Sequence, residues 1–435
     1  MIPGSDLVLF LSILQKQTKT GPSGLKGTMI KRWHRIILAL VISLAMVTCI
    51  DPYTPQLKTF ESRLVVDALL TDEITTAYVR LSRSTLFPDG DPKMVSGATV
   101  KITDDLGTTA VLVERGPGDY HTDSLTFRAE TGRSYQLTIE TRDGNKYESD
   151  PCLMRPVPEI DSLYYGVDQV FSEQTGEFRE GISFFIDTKN EEPGSYYRWA
   201  FEEWWKFSVP DPAIFRYFND STIVPLQTIN RTCFAHTRSD IIDIENTISG
   251  HIGDFIKKPV LFIASDESDR LLIRYCLAVK QMSLSRQEYE FWHLMTEINE
   301  AGGDIFDKQP FQVFSNIRNI SDPDDQVIGY FQVSGVKEKR IYVTAGEAAA
   351  LNLPMYIYEC DRQEKGEVDY PPTSPGEGFT FNEIYAAFLN SGYAFVGPIF
   401  DKDNLLFRLI FARPHCADCT LRGSPEEPWF WEDPE

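Results

Sequence analysis

The residues most able to do chemistry lie near the C-terminus, in Pro414-His415-Cys416-Ala417-Asp418-Cys419. Two thiols three positions apart, beside an imidazole, are a donor set for zinc, and Cys233 or Cys360 could complete a tetrahedron. Covalent haem attachment is excluded, because it needs the histidine after the second cysteine and His415 precedes the first. A thioredoxin-like redox motif would open a helix after a strand, whereas Pro414 and the following Thr420-Leu421-Arg422-Gly423 read as loop. In an oxidising compartment the same thiols form disulfides, and that reading outweighs zinc. Cys152, Cys233, Cys276, Cys360, Cys416 and Cys419 are an even set, permitting up to three bridges whose connectivity spacing does not choose. Cys276 lies in the apolar run 271–279 and is also readable as a buried free thiol.

Other candidate chemistry is weaker. Trp199, Phe201, Trp204, Trp205 and Phe207 follow Tyr196 and Tyr197, and such a cluster could stack on a sugar. On a strand, Trp199, Phe201 and Trp205 share one side, where core packing explains them. Trp204 falls on the other side and is the one ligand-facing aromatic expected. Trp429, Phe430 and Trp431 could dock the tail on its own domain or mark a partner surface. Asp322, Asp324 and Asp325, and Asp89 with Asp91, lack calcium-loop spacing and its closing glutamate, so they read as solvated turn acids. His121, His236, His251, His293 and His415 are scattered, with no metalloprotease pair, nucleophile elbow or phosphate-binding Gly-Lys loop. No catalytic residue, metal or cofactor is therefore expected, and the chain reads as a non-enzyme.

The segment from Met29 to Cys49 locates the protein. Lys31, Arg32 and Arg35 form a basic head, 36–47 is an apolar run of secretory length, and Cys49 precedes the polar Asp51-Pro52. The run is shorter than the roughly 20 residues a membrane-spanning helix needs. It reads as a lipoprotein signal with Cys49 as the lipid-bearing first residue, although Met46 and Thr48 stand where a lipobox usually has Leu and a smaller residue. An ordinary secretory peptide is the alternative, but 45–47 ends in the bulky Val47. Residues 1–28 read as a mis-assigned upstream start, and 49–60 as a tether.

The net charge of −22 argues against nucleic acid and against a polybasic grip on anionic lipid, leaving acyl chains as the membrane attachment. With 42% hydrophobic and 12% aromatic residues the chain can bury real cores. The expected fold is mainly β: an immunoglobulin-like β-sandwich over 61–154, then a larger β-rich domain over 155–435. Runs at 64–70, 76–81 and 97–102 alternate, and 135–140 pairs with 146–149 across Asp143-Gly144, a hairpin signal. Arg155-Pro156-Val157-Pro158 reads as a semi-rigid hinge. Strand-like runs follow at 182–186, 196–207, 260–263, 271–284, 327–333 and 340–343. Two helices interrupt them, near 286–299 and 381–390, each opened by a capping box: Ser285 with Glu288 and Thr380 with Glu383. Phe291, Met295 and Ile298 share one face of the first, and 370–378 is a Pro- and Gly-rich surface loop.

Ordered pieces of the chain carry a family likeness. They are Pro156-Val157-Pro158-Glu159-Ile160-Asp161-Ser162-Leu163-Tyr164, Thr232-Cys233, Gln281-Met282-Ser283-Leu284-Ser285 running into Tyr289-Glu290-Phe291-Trp292, Gly302-Gly303-Asp304-Ile305-Phe306-Asp307, Val327-Ile328-Gly329-Tyr330-Phe331, and Cys416-Ala417-Asp418-Cys419-Thr420 with Gly423 and Phe430-Trp431. In this order the chain resembles the domain of unknown function 4249 family of Bacteroidota cell-envelope lipoproteins. The resemblance implies an accessory role in the envelope, often beside a TonB-dependent outer-membrane receptor, and supplies no active site. The expectation is thus a lipid-anchored outer-membrane protein, on the periplasmic or the surface side, acting as an accessory or binding subunit. A stand-alone carbohydrate or peptide binder and an envelope hydrolase with an unrecognised site are the alternatives.

Overall fold

Alternation of apolar and polar residues dictates the first layers. In Leu64–Thr71 every second residue (Leu64, Val66, Ala68, Leu70) is buried, and Val79 and Leu81 do the same in Tyr78–Arg83. The computed structural model describes residues 62–431, apart from 74–76, 86–91, 124–126, 174, 190–193, 219–221, 248–253, 301–314 and 371–378. The export segment, Cys49, the tether, Asp89, Asp91, His251 and most of the 370–378 loop lie outside the described residues.

The protein is mainly β and begins with an immunoglobulin-like sandwich. One sheet has the order 328–334, 64–71, 78–83, 119–121, 113–116; the other runs 317–319, 146–149, 134–140, 99–104, 109–111. Leu64, Val66, Val79 and Tyr120 from the first meet Val100, Ile102, Leu137 and Ile139 from the second in a single core. The Asp143-Gly144 hairpin forms as expected, with Gly144 at φ +91°. The boundary expected after residue 154 does not close this sandwich, because each sheet takes its edge strand from residues 317–334. Ile328–Ser334 lies parallel to Leu64–Thr71, a pairing that needs a long crossover and that local pattern reading does not reveal.

The larger β-rich region packs a three-stranded sheet (162–172, 177–188, 255–264) on a second sheet of order 232–238, 196–208, 274–284, 336–344. Ile182, Phe184 and Ile186 face Tyr197, Trp199, Tyr275, Leu277 and Val279 across the interior. Burying each such side chain contributes roughly 1.5–3 kcal/mol before conformational entropy is counted. A smaller C-terminal layer (363–365, 406–412, 394–400) packs Phe395, Leu409 and Phe411 against Ile384 of the helix Phe381–Asn390 and Tyr217 of a hairpin.

Both expected helices are present, at Arg286–Glu300 and Phe381–Asn390, with the expected capping boxes. Phe291 is the buried member of the predicted face, while Met295 and Ile298 are half-buried. Two short helices were not predicted. Thr344 and Glu347 cap Ala345–Ala350, and Pro414, expected in a loop, sits at the start of a one-turn helix, Pro414–Ala417, where its missing N–H costs nothing.

The two sandwiches are joined along one extended segment. Ile328–Ser334 belongs to the first and Val336–Thr344 to the second, with Gly335 between. Ser283 Oγ accepts from the Gly335 amide at 3.1 Å and donates to the Arg155 carbonyl at 2.7 Å. A Cβ on Gly335 would lie 2.5 Å from that carbonyl oxygen. From the first sandwich, Asp72 accepts the Val336 amide and Glu73 pairs with Lys280 at 3.0 Å. The buried Glu288 accepts the Val333 amide at 3.0 Å, so a helix cap also anchors this segment.

Gly329 has φ +104°, and a Cβ there would fall 1.9 Å from the Val66 carbonyl oxygen. Gly329→Ala should therefore lower the unfolding free energy by about 2–3 kcal/mol, seen as an earlier denaturant midpoint. An unchanged midpoint would show that the parallel strand does not approach so closely. Glu114 accepts the amides of Gly118 and Gly97, both at positive φ. The Gly118 hydrogen bond, opposed by partial burial and aided by Gly97, holds its carboxyl below the ordinary value. A depressed folded-state value means stability fully present above about pH 4.5, the ordinary value, and lost as pH falls from there through the lower folded-state value. The stability gap between wild type and Glu114→Gln should accordingly narrow on titration from neutral pH to about pH 3, read by urea denaturation; a gap constant with pH would refute the turn-clamp role.

Candidate functional site

The C-terminal thiols form two long-range disulfides. Cys419 pairs with Cys233 and Cys360 with Cys416, with Cα separations of 5.6 and 6.1 Å. The two cysteines of the His415 motif thus bond to distant partners and not to each other. Their thiolates are not free to ligate zinc, and no cluster of three His, Cys, Asp or Glu side chains able to hold a metal occurs among the described residues. Cys152 and Cys276, possible bridge members by count, are free. Cys152 packs against the first sandwich core, whereas Cys276 lies on the second region's five-stranded sheet, so the two cannot meet. Burial pushes the Cys152 thiol up to about 12 and the Cys276 thiol up to about 11, which removes nucleophilic character at neutral pH.

The aromatic strand divides as its alternation requires. Trp199 and Phe201 enter the core and Trp205 packs beside them, while Trp204 points to the opposite face. The expected ligand-facing position of Trp204 is occupied from within the chain. Its ring stacks on His236 at 4.6 Å, and Phe430 meets it edge-on at 4.8 Å. The C-terminal aromatics dock the tail on its own domain: Trp431 packs on Phe234 and Tyr342 around the fully buried Cys276, and the Tyr342 hydroxyl donates to the Phe430 carbonyl at 3.0 Å. Trp429 alone of the three remains exposed, at 89%. Arg274 and Arg340 lie over the tail rings, at 5.8 Å from Trp431 and 4.2 Å from Phe430.

Other expected residues take structural places. Asp322 accepts the Asp324 amide and Asp325 accepts from Asn319, as turn acids do. His121 lies 3.0 Å from Asp119, which also faces Arg80 at 4.0 Å, and His236 lies 3.1 Å from Glu202, which also pairs with Arg238 at 3.5 Å; His293 faces Glu297 along the helix Arg286–Glu300.

What composition and motif did not reveal is a polar cavity of about 370 Å³ between the turn at 267–269, the segment 356–360 and the C-terminal motif. Its floor is Asp269, 1% exposed, on a short helical turn after the strand Phe255–Ala264. Asp269 accepts the Tyr358 hydroxyl at 2.5 Å, Arg422 Nη2 at 2.7 Å and Trp205 Nε1 at 3.2 Å. Burial raises the Tyr358 phenol well above its ordinary value, so it stays a donor. Behind it Glu203 accepts the Tyr275 hydroxyl at 2.7 Å and lies 3.5 Å from Arg270; burial raises its carboxyl. The Cys360–Cys416 bridge and the exposed His415 complete the wall. No local signal marks Asp269, Tyr358 and Arg422, because three separate segments converge only after the disulfides and the tail are in place. Such a cavity can hold a small polar group, and its size falls within the usual range for ligand sites.

Since the tail is the lid over Cys276, Trp431→Ala should open a path to that thiol, and native-state labelling by a small maleimide should accelerate at Cys276 by at least about tenfold, as local opening becomes easier. Labelling as slow as in wild type would mean that sheet packing alone protects it.

No curated protein matches this chain. One family model does, over residues 50–340, which takes in the first sandwich and the strands through Thr232–Arg238, Arg274–Leu284 and most of Val336–Thr344, but stops before the disulfide-bonded C-terminal layer. On that match the chain belongs to the family described as Domain of unknown function (DUF4249).

Proposed function

We propose that this protein is a lipid-anchored cell-envelope protein, tethered through Cys49 to the outer membrane, that serves as an accessory or binding subunit near a TonB-dependent receptor. The observation that carries the extracytoplasmic reading is the pair of disulfides joining residues 186 and 56 positions apart, since such bridges persist in oxidising compartments. The basic head, apolar run and Cys49 support the anchor, and the chain's resemblance to a family of envelope lipoproteins supports the setting. A binding role, without turnover, agrees with free thiols held protonated by burial.

A stand-alone binder is the second reading, and the Asp269 cavity favours it. In that case Trp204, covered by Phe430, is not the contact, and the cavity is. An envelope hydrolase would require a nucleophile beside an effective base, and the acid beside the Tyr358 hydroxyl, Asp269, is a weakened one because Arg422 neutralises it.

The intact mass of protein extracted from membranes tests the anchor: a diacylglycerol-modified Cys49 as the first residue is expected. An N-terminus at Met1, or an unmodified Cys49, would overturn it. In the same preparation, denatured unreduced protein should alkylate at the two free cysteines only, and four more should appear after reduction. Co-purification with a barrel receptor from mildly solubilised envelopes supports the accessory role, whereas repeated isolation alone favours the stand-alone binder.

A further inference from the structure

The charges inside the Asp269 cavity are unevenly satisfied. Asp269 is neutralised by Arg422 and hydrogen-bonded by Tyr358, and Glu203 behind it by Arg270 and Tyr275. Glu267 and Glu359, on opposite segments of the rim, are exposed; Arg179, which feels the charge of Glu267, is committed to Asp266 at 2.6 Å. Arg422 is the lining's one permanent cation and is already committed to Asp269. An anionic ligand would therefore meet three carboxylates against one guanidinium. A cation would be drawn to both rim carboxylates at once.

The walls suit the same ligand. Tyr356 and Tyr358, packed edge to face at 5.2 Å, give aromatic surface of the kind that attracts ammonium and guanidinium groups. Ser268 Oγ, without a hydrogen-bond partner, offers an acceptor. Beyond the cavity, Ile357 and Leu421 are 80% and 60% exposed and are chain neighbours of Tyr358 and Arg422. Such apolar surface suits the methylene stem of a long basic side chain or amine. The Cys360–Cys416 bridge fixes 356–360 against the His415 turn, and the Tyr358–Asp269 hydrogen bond ties it to the turn that carries Glu267, so the two rims are held in register without a ligand.

From these observations we infer that the cavity floored by Asp269 is a binding site for an organic cation, a primary amine or guanidinium on an aliphatic stem. The group enters between Glu267 and Glu359, with Tyr356 and Tyr358 beside it. The shared chemistry occurs in free diamines and in the lysine or arginine side chains of a polypeptide. The inference concerns the ligand class alone and stands whether or not Cys49 carries lipid.

Calorimetric titration of the full-length protein in non-ionic detergent tests it, using cadaverine and the blocked tripeptide acetyl-Ala-Lys-Ala-amide as probes, each against its N-acetylated form. The amine is expected to bind and the acetylated form to bind at least tenfold more weakly. Glu267→Gln and Glu359→Gln should each weaken binding by about fivefold, as expected for an exposed charge pair, and raising salt should weaken it further. Tighter binding of the tripeptide assigns the site to a polypeptide side chain, and tighter binding of cadaverine to a free amine; either supports the cation site. Equal binding of amine and amide, no heat from either amine at millimolar concentration, or affinity unaltered in both glutamine variants would overturn it.

Discussion

The structure depends on one extended run, Ile328–Thr344, that is a strand in both sandwiches. Up to Ser334 it lies parallel to Leu64–Thr71; from Val336 it lies antiparallel to Arg274–Leu284. A strand that changes sheets must pass its neighbours closely, and Gly335, with no Cβ to meet the Arg155 carbonyl, allows that. Ser283 satisfies the polar groups exposed at the change, accepting from one backbone and donating to the other. The hinge anticipated at Arg155-Pro156-Val157-Pro158 is consequently clamped: Arg155 bridges to Ser334, and Val157 is buried in the second core.

With the two sandwiches joined in this way, the outer face of the sheet 196–208 and 274–284 is left to be covered by the chain's last residues. Phe430 and Trp431 lie over Trp204, Tyr342 and Cys276, and Ser424 pairs with Phe234 across a backbone bridge. The disulfide Cys233–Cys419 fixes the start of this tail close to where the bridge begins. Arg422, carried between the disulfide and the tail, is thereby delivered to Asp269. Removing Asp269 from water is costly, and an acid there is tolerable because Arg422, Tyr358 and Trp205 converge on it. The cavity's rim is then made of segments that nothing else places together.

Much of the secondary structure was legible. Alternation marked Leu64–Thr71, Tyr78–Arg83 and Tyr196–Ser208, and Ser285 with Glu288 and Thr380 with Glu383 marked both longer helices, since these signals act within a few residues. Trp199 and Phe201 were assigned correctly to a core face by period alone, and Trp204 correctly to the other. What covers Trp204 was not legible, because Phe430 reaches it from over two hundred residues away. The strands 317–319 and 328–334 read as part of the larger region for the same reason: their local pattern is the same whichever sheet they join.

The amino-acid order by itself determined the mainly β character, the helix caps, the sidedness of the aromatic strand and the family, all of which arise from short-range periodicity or ordered motifs. Tertiary structure decided which sheet receives Ile328–Ser334, which cysteines pair, and that Asp269, Tyr358 and Arg422 share a cavity. The reason is physical. Periodicity reports which side of an element avoids water, but the partner met on that side is chosen by packing and loop closure over the whole chain.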